Sequence, residues 1–113
     1  MKALIIKENW LNLILSGKKT WEIRSSNTKK VGQKIGLIQS GSGKIYGECT
    51  IINSMPVKKE ILYKNISKHQ VSKEDINKLN YKHPHAWVLA DVKKYKSPKN
   101  YKHLQGAVIW VNC

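Results

Sequence analysis

Lys19, Glu22 and Arg24 are packed into the segment Gly17-Lys18-Lys19-Thr20-Trp21-Glu22-Ile23-Arg24, directly after a short apolar run. Neither a core nor an ordinary solvated face calls for this mixture. A carboxylate between two cations can orient a guanidinium, and the planar fork of an arginine pairs two phosphate oxygens at once. Arg24 is also the sole arginine; every other cation in the chain is a lysine. A bare Glu22–Arg24 pair on the surface would add little stability. The expected chemistry is therefore capture of an anion such as RNA by Lys19 and Arg24, with Glu22 holding Arg24 in place. The same three groups could act as acid, base and cation at a ribose phosphate.

Other candidates are weaker. Ser40-Gly41-Ser42-Gly43-Lys44 reads as a turn whose amides could form an anion-binding concavity, with Ser40 and Lys44 as secondary ligand groups. It lacks the spacing of a Walker loop. Residues 93–103 interleave Tyr95 and Tyr101 with lysines, a composition suited to stacking on unpaired bases and tracking a backbone. Packing of those tyrosines on the domain is the equal alternative. Glu48, facing a cleft or pairing with a lysine, and Asp91 are spare carboxylates, while Glu74 and Asp75 suit a helix start. His69, His83, His85 and His103 lack zinc-type spacing, and no serine or cysteine nucleophile motif is present.

Local patterns indicate how these groups are carried. Residues 2–7 read as a buried strand. Residues 9–16 read as a helix with Trp10, Leu13 and Ile14 on one face, Asn9 as N-cap and Gly17 at the left-handed C-terminal position. Alternation over 19–24 turns Trp21 and Ile23 to the core and Glu22 and Arg24 to the polar face. Lys19 can join them only from the strand's entrance. Strands 33–39 and 44–54 form a hairpin, and Pro56 ends it. Residues 58–82 are helical, with Ser72 capping a helix that Val71 and Ile76 staple. Strands 86–92 and 107–112 are apolar on both faces and are expected at the sheet's centre, with 93–103 as a loop between them.

With 113 residues the chain is expected to form one domain, residues 1–113, with one core. No apolar run is long enough for a bilayer span, and the N-terminus reads as a strand rather than a secretory signal. Cys49 and Cys113 form no metal-type pair, which suits reduced thiols in a cytoplasmic protein. Twenty-one basic residues face seven acids, for a net charge of +14. An AT-rich codon bias explains lysines in place of arginines but not the scarcity of acids. Such a surface attracts polyanions.

The pattern Gly-x-Lys-x-x-Glu-x-Arg, here Gly17, Lys19, Glu22 and Arg24, resembles the signature of the ASCH domain family. The likeness extends to Leu4-Ile5-Ile6, to the 38–44 segment with Gly47-Glu48, to His85-Ala86-Trp87-Val88-Leu89, and to Gly106-Ala107-Val108-Ile109-Trp110. It implies an α+β, PUA-like fold: a small mixed β-barrel of about six strands with helices packed around it. It further implies binding of RNA or single-stranded nucleic acid, with a nucleotide or nucleoside as a smaller ligand, and no membrane partner. Some relatives are ribonucleases. One branch is an amidohydrolase that removes acetyl groups from modified cytidine nucleosides, using the motif lysine, here Lys19, with a threonine three residues on and a distal glutamate; here Glu22 holds the threonine position. No cofactor is expected, and a divalent metal enters only if the chain cleaves RNA.

Overall fold

Short runs rich in isoleucine, leucine and valine make the strands, and the breaks between them are supplied by glycine, proline and lysine. The computed structural model describes residues 1–102 and 109–112. In chain order it contains β1 (Lys2–Ile6), α1 (Glu8–Leu15), β2 (Trp21–Arg24), β3 (Lys34–Gln39), β4 (Lys44–Pro56), α2 (Lys59–Lys64), α3 (Ile66–His69), α4 (Lys73–Asn77), β5 (His85–Asn100) and β6 (Trp110–Asn112). The sheet order is β2-β5-β4-β3-β1-β6. β1 runs parallel to β3, and every other pair is antiparallel. Six mixed strands curl into a half-barrel with short helices against it, which is the expected α+β class.

Two clusters of apolar side chains meet at Trp10. Leu11 and Ile14 of α1 are fully buried against Leu4, Ile35, Leu37, Ile51, Trp87 and Leu89 of the sheet. Their spacing of three is that of a single helix face. Trp21, Val57, Leu62, Val71, Ile76 and Ala86 join β2 and β5 to the helices α2 and α4. Trp10 packs on both clusters. Ser72 caps α4 by accepting the Asp75 N–H at 3.1 Å, with Val71 and Ile76 in the same cluster beneath it.

Several expectations need correction. Residues 93–100 are not a loop: they continue β5 as a ribbon along the first half of β4, from Lys93 opposite Glu48 to Asn100 opposite Lys44. Their lysines hid the strand, because a ribbon exposed to water needs no apolar alternation. Pro98 is accommodated because the pairing jumps from Lys94–Gly47 to Lys99–Ile45, so its missing N–H interrupts no paired position. A second bulge holds Asp91 at φ +52°. β6 lies at the end of the strand order rather than at its centre, with only Val111 buried. The earlier part of that predicted strand, residues 107–108, lies outside the described residues, as do His103 and Cys113. Asn9 is not an N-cap: α1 starts at Glu8 with Lys7 preceding it and no side-chain cap. The 58–82 region holds three short helices separated by turns.

Candidate nucleic-acid interface

The 17–24 segment is shaped by one turn. Gly17, at φ +83°, ends α1, a conformation that costs a residue with a Cβ. The chain then doubles back, and the Lys19 N–H donates to the Leu13 carbonyl at 3.0 Å. β2 starts only at Trp21, so Lys19 is outside the strand's pleat and reaches the side that Glu22 and Arg24 share.

The three side chains converge. Glu22 Oε2 accepts from Arg24 Nε at 3.0 Å and from Nη2 at 2.8 Å. Glu22 Oε1 is 3.6 Å from Lys19 Nζ. Lys19 is 1 % exposed and Glu22 5 %, while the Arg24 side chain is 21 % exposed. Lys19 Nζ donates to the His69 carbonyl at 2.5 Å and lies 4.6 Å from the centre of the Trp10 ring. Arg24 Nη2 also donates to the Ile5 carbonyl at 3.2 Å, tying edge strand β2 to β1 across the curl of the sheet. The guanidinium carbon lies 5.6 Å from the centre of the Trp87 ring, and Nη1 makes no hydrogen bond to the described residues.

Burial holds the Lys19 ammonium below the ordinary lysine range; the Glu22 carboxylate pulls it part of the way back, and the Arg24 charge opposes that recovery. His69 beneath it is fully buried and satisfied at both nitrogens. Nδ1 accepts the Val71 N–H at 2.9 Å, so Nε2 carries the proton and donates to the Leu62 carbonyl at 2.6 Å. Burial lowers its pKa, against the Leu62 hydrogen bond and with help from the Lys19 charge. His69 is therefore a neutral structural histidine that fixes the carbonyl Lys19 uses.

The triad lines a cavity of about 410 Å³. Ile6, Trp10, Val71 and Leu79 give it an apolar wall, Lys7 and Ser40 add polar groups, and Asp75 and Tyr81 complete it. Three cations and two acids leave the lining only mildly positive, in contrast to the chain as a whole. Size and mixture fall within the range of small-molecule sites, about 300–1,000 Å³.

Of the secondary candidates, Ser40 is in the cavity wall and Lys44 is not. The turn instead binds itself together: Ser42 Oγ donates to the Gln39 carbonyl at 2.7 Å and accepts the Lys44 N–H at 3.0 Å. Tyr95 and Tyr101 pack on the Ala3, Ile38, Ile45 and Val111 cluster and line neither this cavity nor its neighbour. Glu48 does not line it either, and pairs with Lys34 at 3.8 Å. Cys49 is buried, and desolvation pushes its thiol up to about 12. Sequence reasoning missed Lys7 and Tyr81 as lining groups, took Trp10 for core alone, and accounted for Asp75 by its helix. Among the described residues no three His, Cys, Asp or Glu side chains gather as a metal site, and no helix is long and apolar enough to cross a membrane.

Comparison with known proteins agrees with this architecture. A crystal structure of a single-substitution variant of the ASCH protein from Zymomonas mobilis superimposes with a TM-score of 0.79 at 15 % identity, covering 97 % of this chain and 85 % of that one. A structure of ASCH from the same organism gives 0.74 at 16 % identity, over 88 % of this chain and 72 % of that one. No curated protein matches by sequence. The ASCH domain model matches residues 4–99, most of the chain and all three converging side chains, and the protein belongs to the ASCH domain family.

Proposed function

We propose that the protein binds RNA by seating one unpaired nucleotide in the cavity walled by Lys19, Glu22, Arg24 and Ser40. The overall charge of +14 draws the polyanion in. The mildly positive, half-apolar cavity then favours a base and sugar against Trp10, Ile6 and Leu79, with phosphate at Arg24. The observation that carries this reading is the division of labour within the triad. Lys19 is buried on the His69 carbonyl and Glu22, and Glu22 is buried against the Arg24 fork, while Arg24 keeps a share of exposure and an Nη1 with no hydrogen bond to the described residues.

Arg24→Ala tests it. Loss of a hydrogen bond to a charged group costs about 1.5–3 kcal/mol, which is roughly a ten- to hundredfold weaker Kd. The slope of log K against log salt for single-stranded RNA should flatten by about 0.7. Arg24→Lys should keep the slope and lose part of the affinity, because the point charge survives and the fork does not. Unchanged affinity in a folded Arg24→Ala protein refutes the site.

A second reading, hydrolysis of RNA or of a modified nucleoside, draws on one observation. Burial depresses the Lys19 pKa beside a carboxylate at the cavity wall, as a general base requires. Incubation with labelled RNA, with and without divalent metal, separates the two. Cleavage abolished in Lys19→Met favours the enzyme, and retention without cleavage favours the binding module.

A further inference from the structure

Tyr81 lines two cavities at once. The second, of about 500 Å³, is floored by Val57 and walled by Lys58, Lys59, Lys82 and His83 on its polar side. Its three lysines face one acid, Glu60, so it is more positive than the first cavity. Lys58 and Lys82 have no acidic partner among the described residues, whereas Lys59 reaches the Asn77 carbonyl at 3.4 Å. Between the cavities Tyr81 is 40 % exposed. An aromatic ring left open to water beside unpaired lysines is the combination that stacks a base and follows its phosphates.

We infer that the two cavities form a track for adjacent nucleotides of a single strand. One nucleotide occupies the Arg24 cavity, the neighbouring base stacks on Tyr81, and its phosphate meets Lys58 and Lys82. This rests on the reading of the first cavity given above. It also moves base stacking from Tyr95 and Tyr101, which are half-buried against the sheet, to a tyrosine on the connection between α4 and β5.

Binding of cytidine monophosphate and of a labelled tetracytidylate, followed at several salt concentrations, tests the track. The tetranucleotide should bind the unaltered protein more tightly than the mononucleotide. Lys58→Ala with Lys82→Ala should weaken the tetranucleotide about tenfold, flatten its salt slope by about 1.4 and leave the mononucleotide unchanged. Tyr81→Ala should weaken the tetranucleotide by about five- to hundredfold, and Tyr81→Phe should restore it. Lys94→Ala with Lys96→Ala removes two exposed lysines that line neither cavity and should have the smaller effect. A mononucleotide that binds while the tetranucleotide gains nothing overturns the track and spares the first cavity. So does equal weakening by the two lysine pairs. Failure of both ligands to bind removes the first cavity's reading and the track with it.

Discussion

Replacing Glu22 by Gln deletes one charge and little volume, yet it should be among the most damaging single changes in the protein. The carboxylate takes two hydrogen bonds from Arg24 and stands 3.6 Å from an ammonium that is almost wholly enclosed. Breaking a buried ion pair from one side costs about 3–5 kcal/mol, because the partner charge stays behind without compensation. A domain of this size holds about 5–15 kcal/mol in total. With a urea dependence of about 1–3 kcal/mol per molar, the unfolding midpoint followed by tryptophan fluorescence should fall by about 2 M. The deficit should also depend on pH. The Glu22 charge is the main influence raising the Lys19 pKa, so without it that pKa falls further. A group whose pKa is lower in the folded chain than in the unfolded one favours folding at high pH and loses that contribution as pH falls. Glu22→Gln should therefore be worst in mild acid and recover toward alkaline pH, as the folded chain releases the Lys19 proton first. Adding Lys19→Met should restore part of the loss at neutral pH, since the stranded charge is gone. A Glu22→Gln protein within 1 kcal/mol of the unaltered chain at pH 6 would refute the claim that the triad is one coupled buried unit.

Other changes probe other links. Gly47→Ala should destabilise the domain by about 1–3 kcal/mol in the same urea assay, because its Cβ would stand 2.5 Å from the Lys93 carbonyl and 2.8 Å from Leu15 Cδ2. Stability should decline as pH drops below the ordinary histidine range, since buried neutral His69 resists the proton that the unfolded chain accepts. His69→Gln should shrink that decline in urea titrations between pH 5 and 7.5, even where it lowers overall stability.

Much of the architecture was legible because period and punctuation agree. The strand at Trp21–Arg24, the left-handed Gly17 and the Ser72 cap each follow from one local rule, and each is present, although burial along that strand does not alternate: Trp21 and Glu22 are both buried, and Ile23 and Arg24 are both half-buried. What escaped notice depended on partners far along the chain. The 93–100 ribbon has no apolar signature of its own; it is a strand because the long β4 needs a partner. β6 looked central from composition, but an edge position is decided by which strand it meets. In the candidate site, the three motif residues could be listed in advance. The depth of Lys19, its bond to the His69 carbonyl and the Arg24 link to Ile5 could not, since all three need the helices and β1 in place. Tyr81 escaped for the same reason: only folding brings it between two cavities.

One feature of the strand order bears on how the molecule is made. Among the described residues, β2 pairs with β5 alone, so the segment emerging as residues 21–24 has no backbone partner until residues 85–88 have left the ribosome. The motif must wait, with Trp21 exposed, through synthesis of some sixty intervening residues. A nascent chain stalled before β5 should therefore hold no assembled ligand site, however well β1, α1 and the β3–β4 hairpin have formed.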